Sequence, residues 1–280
     1  MIGSFLSASW HYAPRRRVSF ALRAALAILL FIAFSHPLAS QYKLLPVLHF
    51  NHLTTADGLP TDNIFGVSRD SKGFVWVGTG SGLARYDGYG FKTYRNLLSD
   101  SSSISSSMVM GAKEDSKHRL WVSTWDAGLS LYDPGRDCFI NFYPRPGDST
   151  WLQTRTVYSM VEDAEGVLWF GTSKGVGGIV RVELPEPAEP GTMEDLARGI
   201  HFKTYTLGTP RNGANDMCMH PDGRILVASD SGLLFFDRKT GAISRPNFPD
   251  PIGRRLESVF IWRLIQDQSA DLWLASPEHL

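Results

Sequence analysis

Aspartate and tryptophan recur together at Asp70 and Trp76, Asp115 and Trp121, and Asp163 and Trp169. A carboxylate near an indole is a pairing that could grip a sugar ring or take part in acid–base chemistry on a glycoside. The phrase around them repeats, however. Asp70-Ser-Lys-Gly73-Phe-Val-Trp76-Val-Gly-Thr79 returns as Asp115-Ser-Lys-His-Arg-Leu-Trp121-Val-Ser-Thr124 and as Asp163-Ala-Glu-Gly166-Val-Leu-Trp169-Phe-Gly-Thr172. A degenerate fourth copy carries Asp222 and Gly223 with Leu226 in place of Trp, and a fifth runs from Asp267 through Trp273 to Ser276. A side chain present in every copy is better explained by turn-making and packing than by catalysis. Asp70, Gly73, Trp76, Asp115, Trp121, Asp163, Gly166, Trp169, Asp222, Gly223 and Trp273 are therefore assigned to the scaffold.

Residues outside the repeat are better candidates for a site. Trp125 and Asp126 are inserted in an otherwise short turn, and an aromatic beside a carboxylate suits sugar recognition. An exposed loop Trp without a ligand is the competing reading. Arg155, Lys174, Arg211 and Asn212 lie in neighbouring turns and connections and could add contacts to an acidic glycan. Cys138 and Cys218 are far apart, and the eight His show no ligand spacing, so neither metal nor cofactor is expected.

The elements that must position these residues follow from the period. A repeat of roughly fifty residues with several short strands is the length of one four-stranded propeller blade. In each copy an apolar inner strand ends at the Asp, as in Ile64 to Arg69, Val109 to Glu114, Val157 to Glu162 and Ile261 to Gln266. Asp and Gly then make the turn. Trp-Val-Gly-Thr forms the second strand, Gly-Leu opens the third, and Phe91-Lys-Thr-Tyr94 exemplifies the outer one. Blades are expected near 63–95, 108–143, 156–206, 214–247 and 259–280. The fold class is all-β, an incomplete β-propeller of four blades plus part of a fifth. Because such an arc leaves an unpaired edge, the native protein is expected to be longer. The proline-rich Leu184-Pro-Glu-Pro-Ala-Glu-Pro-Gly191 reads as an extended insertion, followed by a helical turn capped by Thr192 and an outer strand at His201 to Tyr205.

Composition agrees. The chain is 43% hydrophobic with eight Trp and 26 Gly, which suits short strands and tight turns. Basic and acidic residues balance at 28 each, so no global basic field invites nucleic acid. Arg15, Arg16 and Arg17 precede an apolar run from Ala24 to Phe34 and a small-residue stretch at Leu38-Ala39-Ser40-Gln41. This predicts a secretory signal over residues 1–40, with an uncleaved signal-anchor as the alternative, and an extracytoplasmic propeller over 41–280.

Leu53-Thr-Thr-Ala-Asp57-Gly58-Leu59-Pro60, leading into Gly73-Phe-Val-Trp76-Val-Gly-Thr79 and Gly82-Leu-Ala-Arg-Tyr86-Asp87-Gly88, resembles the two-component regulator propeller repeat. Ser103 to Val109 is similar to that family's linker between blades. The resemblance implies a periplasmic sensor region of a hybrid histidine kinase or related inner-membrane receptor, often for glycan-derived signals. A membrane helix and an output module would lie in further sequence, and a homodimer is compatible with that arrangement. No phosphoacceptor region or ATP lid is readable in these residues, so this chain is not expected to be an enzyme itself. Two other readings stay open, an exported carbohydrate-active enzyme and a protein-interaction platform. The repeat has a loose likeness to sialidase aspartate boxes, but the spacing differs.

Overall fold

The computed structural model describes residues 50–173, 177–185, 192–208, 213–247, 255–256, 258–267, 269 and 271–277. The signal segment lies outside the described residues. Each repeat folds as an antiparallel meander. Blade one comprises β1 (Ile64–Arg69), β2 (Val75–Thr79), β3 (Gly82–Tyr86) and β4 (Phe91–Tyr94). Blade two comprises β5 (Val109–Glu114), β6 (Leu120–Thr124), β7 (Leu129–Asp133) and β8 (Cys138–Phe142). Blade three is β9 (Val157–Glu162), β10 (Leu168–Thr172), β11 (Ile179–Glu183) and β12 (His201–Tyr205). Blade four is β13 (Ala214–Met219), β14 (Ile225–Ser229), β15 (Gly232–Phe236) and β16 (Ile243–Ser244), and a fifth sheet holds β17 (Arg263–Gln266) and β18 (Leu272–Ala275). The fifth inner strand starts two residues later than the sequence pattern suggests. The inner strands stand around an axial channel.

The repeated Asp organises each β1–β2-type hairpin with both oxygens. Oδ1 of Asp70 accepts from the Lys72 and Phe74 amides at 3.0 and 2.9 Å, while Oδ2 accepts the Trp76 indole N–H at 2.8 Å. The same three bonds recur at Asp115, Asp163 and Asp267. The carboxylate thus closes the turn and satisfies the one polar atom of an otherwise apolar indole. Trp76 packs with Val109, Val122 and Tyr132 of blade two; Trp121 with Val157, Phe170 and Phe202 of blade three; Trp169 with Ile225, Val227 and Phe236 of blade four. Each indole is a bolt between consecutive blades.

Blade four corrects one assignment. Asp222 does not occupy the repeated Asp position; His220 does, because the His220 amide donates to Arg224 O and the Gly223 amide to His220 O, as in the other turns. Asp222 instead binds the Arg224 guanidinium at 2.6 and 2.9 Å, which holds its carboxyl below the usual range. The Leu226 side chain has no N–H to donate, so the acceptor and the indole are lost as a pair.

Blade joints carry polar clasps as well. The Ser71 amide and hydroxyl donate to Glu114 of the next blade at 2.6 and 2.8 Å, and Ser116 repeats this with Glu162. Between blades three and four, Arg238 meets Asp163 at 2.8 Å and Glu165. The insertion forms α1 (Met193–Arg198), with Thr192 accepting from the Asp195 amide. Its Glu194 pairs with Arg136 of blade two at 2.8 Å.

Along the outer strands of blades one and two, Asp137 accepts from both Tyr94 and Tyr132 hydroxyls at 2.6 Å and pairs with Lys92. Burial works against its charge, but the Lys92, Tyr132 and Tyr94 donors prevail and hold its pKa at about 2. A depressed folded pKa contributes stability that is present above the unfolded value near 4 and lost as pH falls toward the folded one. Asp137→Asn keeps a residue tolerant of the observed φ of 54°. We expect its melting temperature to lie below that of the parent protein at neutral pH, with the gap narrowing between roughly pH 5 and pH 2. Paired thermal melts across that range check this, and a gap constant with pH would remove the ionic contribution.

Candidate functional site

The face opposite the Asp hairpins is built from the turns between second and third strands and from the connections between blades. Trp125 sits there in the β6–β7 turn, fixed by its amide donating to Met108 O at 3.0 Å and its carbonyl accepting from the Thr156 hydroxyl at 2.5 Å. The Gly128 amide donates to Arg155 O at 2.7 Å, so this turn and the connection entering β9 are laced together. Trp125, Asp126 and Arg155 thus share one neighbourhood, and all three are exposed. Lys174, Arg211 and Asn212 lie outside the described residues.

The structure adds aromatics that the sequence reading passed over. The Trp125 ring meets Tyr158 edge-on at 5.7 Å, Tyr158 meets Trp262 at 5.9 Å, and Trp262 stacks with Phe260 at 5.7 Å. Trp125 remains 39% exposed and Trp262 38%, so each ring is supported on one side and open on the other. Burial, reinforced by the Asp230 charge, raises the Tyr158 pKa and keeps its hydroxyl protonated. Asp230 itself is held by Asn215 Nδ2 at 3.0 Å and the Gly213 amide at 3.2 Å.

A signal for Tyr158 and Trp262 existed in the repeat. Aligning the inner strands on their Asp turns puts Phe65, Met110, Tyr158, Asn215 and Trp262 in one column. The next column is Gly66, Gly111, Ser159, Asp216 and Arg263.

Below this aromatic mouth the axial channel encloses about 380 Å³. Arg263 donates across it to Phe65 O at 3.2 Å, and Lys113 donates to Met160 O at 3.0 Å. Asp216 accepts from the Leu264 amide at 3.1 Å and faces Arg263 at 3.9 Å. Water reaches Lys113, yet the strand walls desolvate it enough to lower its pKa; the same desolvation raises that of Asp216. An aromatic platform over a channel with fixed donors and acceptors can stack a sugar face and bond its hydroxyls.

Known proteins share the repeat in part and the fold. The two-component regulator propeller model matches residues 58–81 and 152–174. Histidine kinase P4 from Formosa agariphila is 45% identical over 56 residues, which cover 20% of this chain and 4% of that protein. Among solved structures, the extracellular domain described as belonging to hybrid two component system BT3049 from B. thetaiotaomicron superposes with a TM-score of 0.50 at 20% identity, over 81% of this chain and 34% of that one. PorZ, a surface component of the type-IX secretion system of Porphyromonas gingivalis, superposes with a TM-score of 0.53 at 17% identity, over 76% of this chain and 31% of its own. At such identities the superpositions speak to the fold, and the chain spans about a third of each solved structure. Blades, turn chemistry and matched segments agree: the chain is a β-propeller, and two of its segments match the two-component regulator propeller repeat.

Proposed function

We propose that this chain is the extracytoplasmic ligand-binding propeller of a two-component receptor, and that the ligand is a glycan or glycan-derived saccharide. The observation that carries the site is the run of Trp125, Tyr158 and Trp262, contributed by different blades and converging over the axial channel. Half-supported rings of this kind bind by stacking on the C–H face of a sugar, while Asp126, Arg155 and Asp230 offer polar contacts around them. The family match and the histidine kinase similarity support a receptor context, in which binding rather than catalysis is this chain's task and signalling runs through a membrane-anchored assembly.

A glycan array probed with the full chain, followed by titration of the best oligosaccharide, tests the site. We expect Trp125→Ala and Trp262→Ala each to weaken binding by about 1–3 kcal/mol, taking as the guide the range for nucleobases stacked on aromatic side chains. Unchanged affinity in both variants would move the site elsewhere.

A further inference from the structure

A second concave site lies on the opposite, hairpin face, in the groove between blades one and two. It holds about 260 Å³ and is walled by Phe74 on one side and by Pro134 and Met193 on the other. Met193 opens α1, so the insertion in blade three reaches over to this groove, and the Arg136–Glu194 pair fastens it there.

The groove is rich in cationic groups with unequal commitments. Lys72 and Lys117 occupy the same turn position on neighbouring blades, and neither ammonium makes a hydrogen bond or ion pair among the described residues. Arg85 lines the groove with its guanidinium 4.7 Å from the Phe74 ring centroid; its Nη1 donates to Tyr132 at 3.2 Å and faces Asp137 at 4.0 Å, while Nε and Nη2 carry further donors. Arg119 is engaged with Asp115 at 2.6 Å. The acids here are already occupied. Asp70 serves its turn and the Trp76 indole, and Glu114 accepts from Ser71.

An independent feature marks the same lip. The turn position that holds Gly73, Gly166 and Gly223 at φ of 94°, 78° and 89° holds His118 in blade two, at φ 60°. A side chain kept in left-handed backbone where glycine would serve stores strain, and strain of this kind gathers at functional sites. His118 lines the groove beside Lys117, with Nδ1 3.4 Å from Glu114.

We propose that this groove is a second binding site, distinct from the aromatic mouth, for a small ligand bearing an oxyanion such as a carboxylate or sulfate. Lys72 and Lys117 approach the anion from two blades, Arg85 supplies a planar donor pair, and Phe74 and Met193 contact the attached carbon skeleton. Uronates, sulfated sugars and free inorganic anions share this chemistry.

Calorimetric titration of the full chain with D-glucuronate, glucose 6-sulfate, sodium sulfate and glucose separates them. We expect glucuronate or the sulfated sugar to bind at one site, more tightly than sulfate alone, with affinity falling as salt rises and with glucose inert at that site. If sodium sulfate binds as tightly as either sugar, the groove takes the free anion and the skeleton contacts are removed from the proposal. Lys72→Gln with Lys117→Gln should cost about tenfold or more in affinity, as loss of charge-assisted bonds does, while Trp262→Ala leaves it unchanged. His118→Gly should raise the melting temperature by about 2 °C by relieving strain. The proposal is overturned if none of the anions binds, if the lysine pair is dispensable, or if Trp262→Ala abolishes binding. The last outcome would place the anion at the aromatic mouth instead, without bearing on whether that mouth takes neutral sugars.

Discussion

Trp121→Ala is expected to cost the fold about 3–5 kcal/mol, the range for truncating a fully buried large aromatic. The indole is 1% exposed and touches Phe142 of its own blade and Phe170 of the next at 6.0 and 5.8 Å between centroids. Its removal leaves a cavity at a blade joint. It also strips a donor from Asp115 Oδ2, which lies 3.0 Å away on a residue only 4% exposed. Trp273 is the internal control. It makes the same bond to its own Asp267 at 3.0 Å but is 65% exposed, so Trp273→Ala should cost under about 1 kcal/mol, as changes at exposed sites do. Urea unfolding followed by far-ultraviolet circular dichroism, with the two slopes compared, measures both. Equal losses would mean that inter-blade burial is not what the repeated Trp contributes.

That contrast also explains which features could be read in advance. The blades were legible because turn chemistry is local: one carboxylate answers amides two and four residues ahead, and the motif advertises itself four times, at Asp70, Asp115, Asp163 and Asp267. The helix at Met193–Arg198 was legible for the same reason, through its Thr192 cap. Asp222 misled because Pro-Asp-Gly is a plausible turn by composition, whereas the register is set by Gly223 and places His220 at the acceptor position. Only the spacing to Leu226 could have shown this. Trp125 stood out as an insertion, but Tyr158 and Trp262 sit inside or beside inner strands, where an aromatic passes for core. Their meeting depends on the angle between blades, which no local phrase encodes. The hairpin-face groove is likewise a product of assembly, since Lys72 and Lys117 become neighbours only when two blades dock.

Gly78→Val is expected to be as damaging as loss of a Trp, for the opposite reason. A Cβ on Gly78 would stand 2.8 Å from both Gly111 N and Val109 O, backbone atoms of the next blade's inner strand that cannot rotate away. Overpacking against fixed backbone should cost about 3 kcal/mol or more. The equivalent residues Ser123, Gly171 and Ala228 are all small, and Ser123 fits by turning its hydroxyl back to Gly111 O of its own blade at 3.2 Å. Gly90→Ala is the matched control, because a Cβ there meets nothing within 4 Å; its melting temperature should stay within about 2 °C of the parent, as for other surface changes. If Gly78→Val melts like Gly90→Ala, the blades are not packed at backbone contact. The same spacing governs function: Trp125, Tyr158 and Trp262 belong to different blades, so a milder wedge such as Gly171→Ala, which presses on Ala214 O at 2.6 Å, should splay the aromatic mouth. Saccharide affinity in that variant is expected to fall by more than its loss of stability accounts for at temperatures where it remains folded, and titration beside a melt of the same sample reads both.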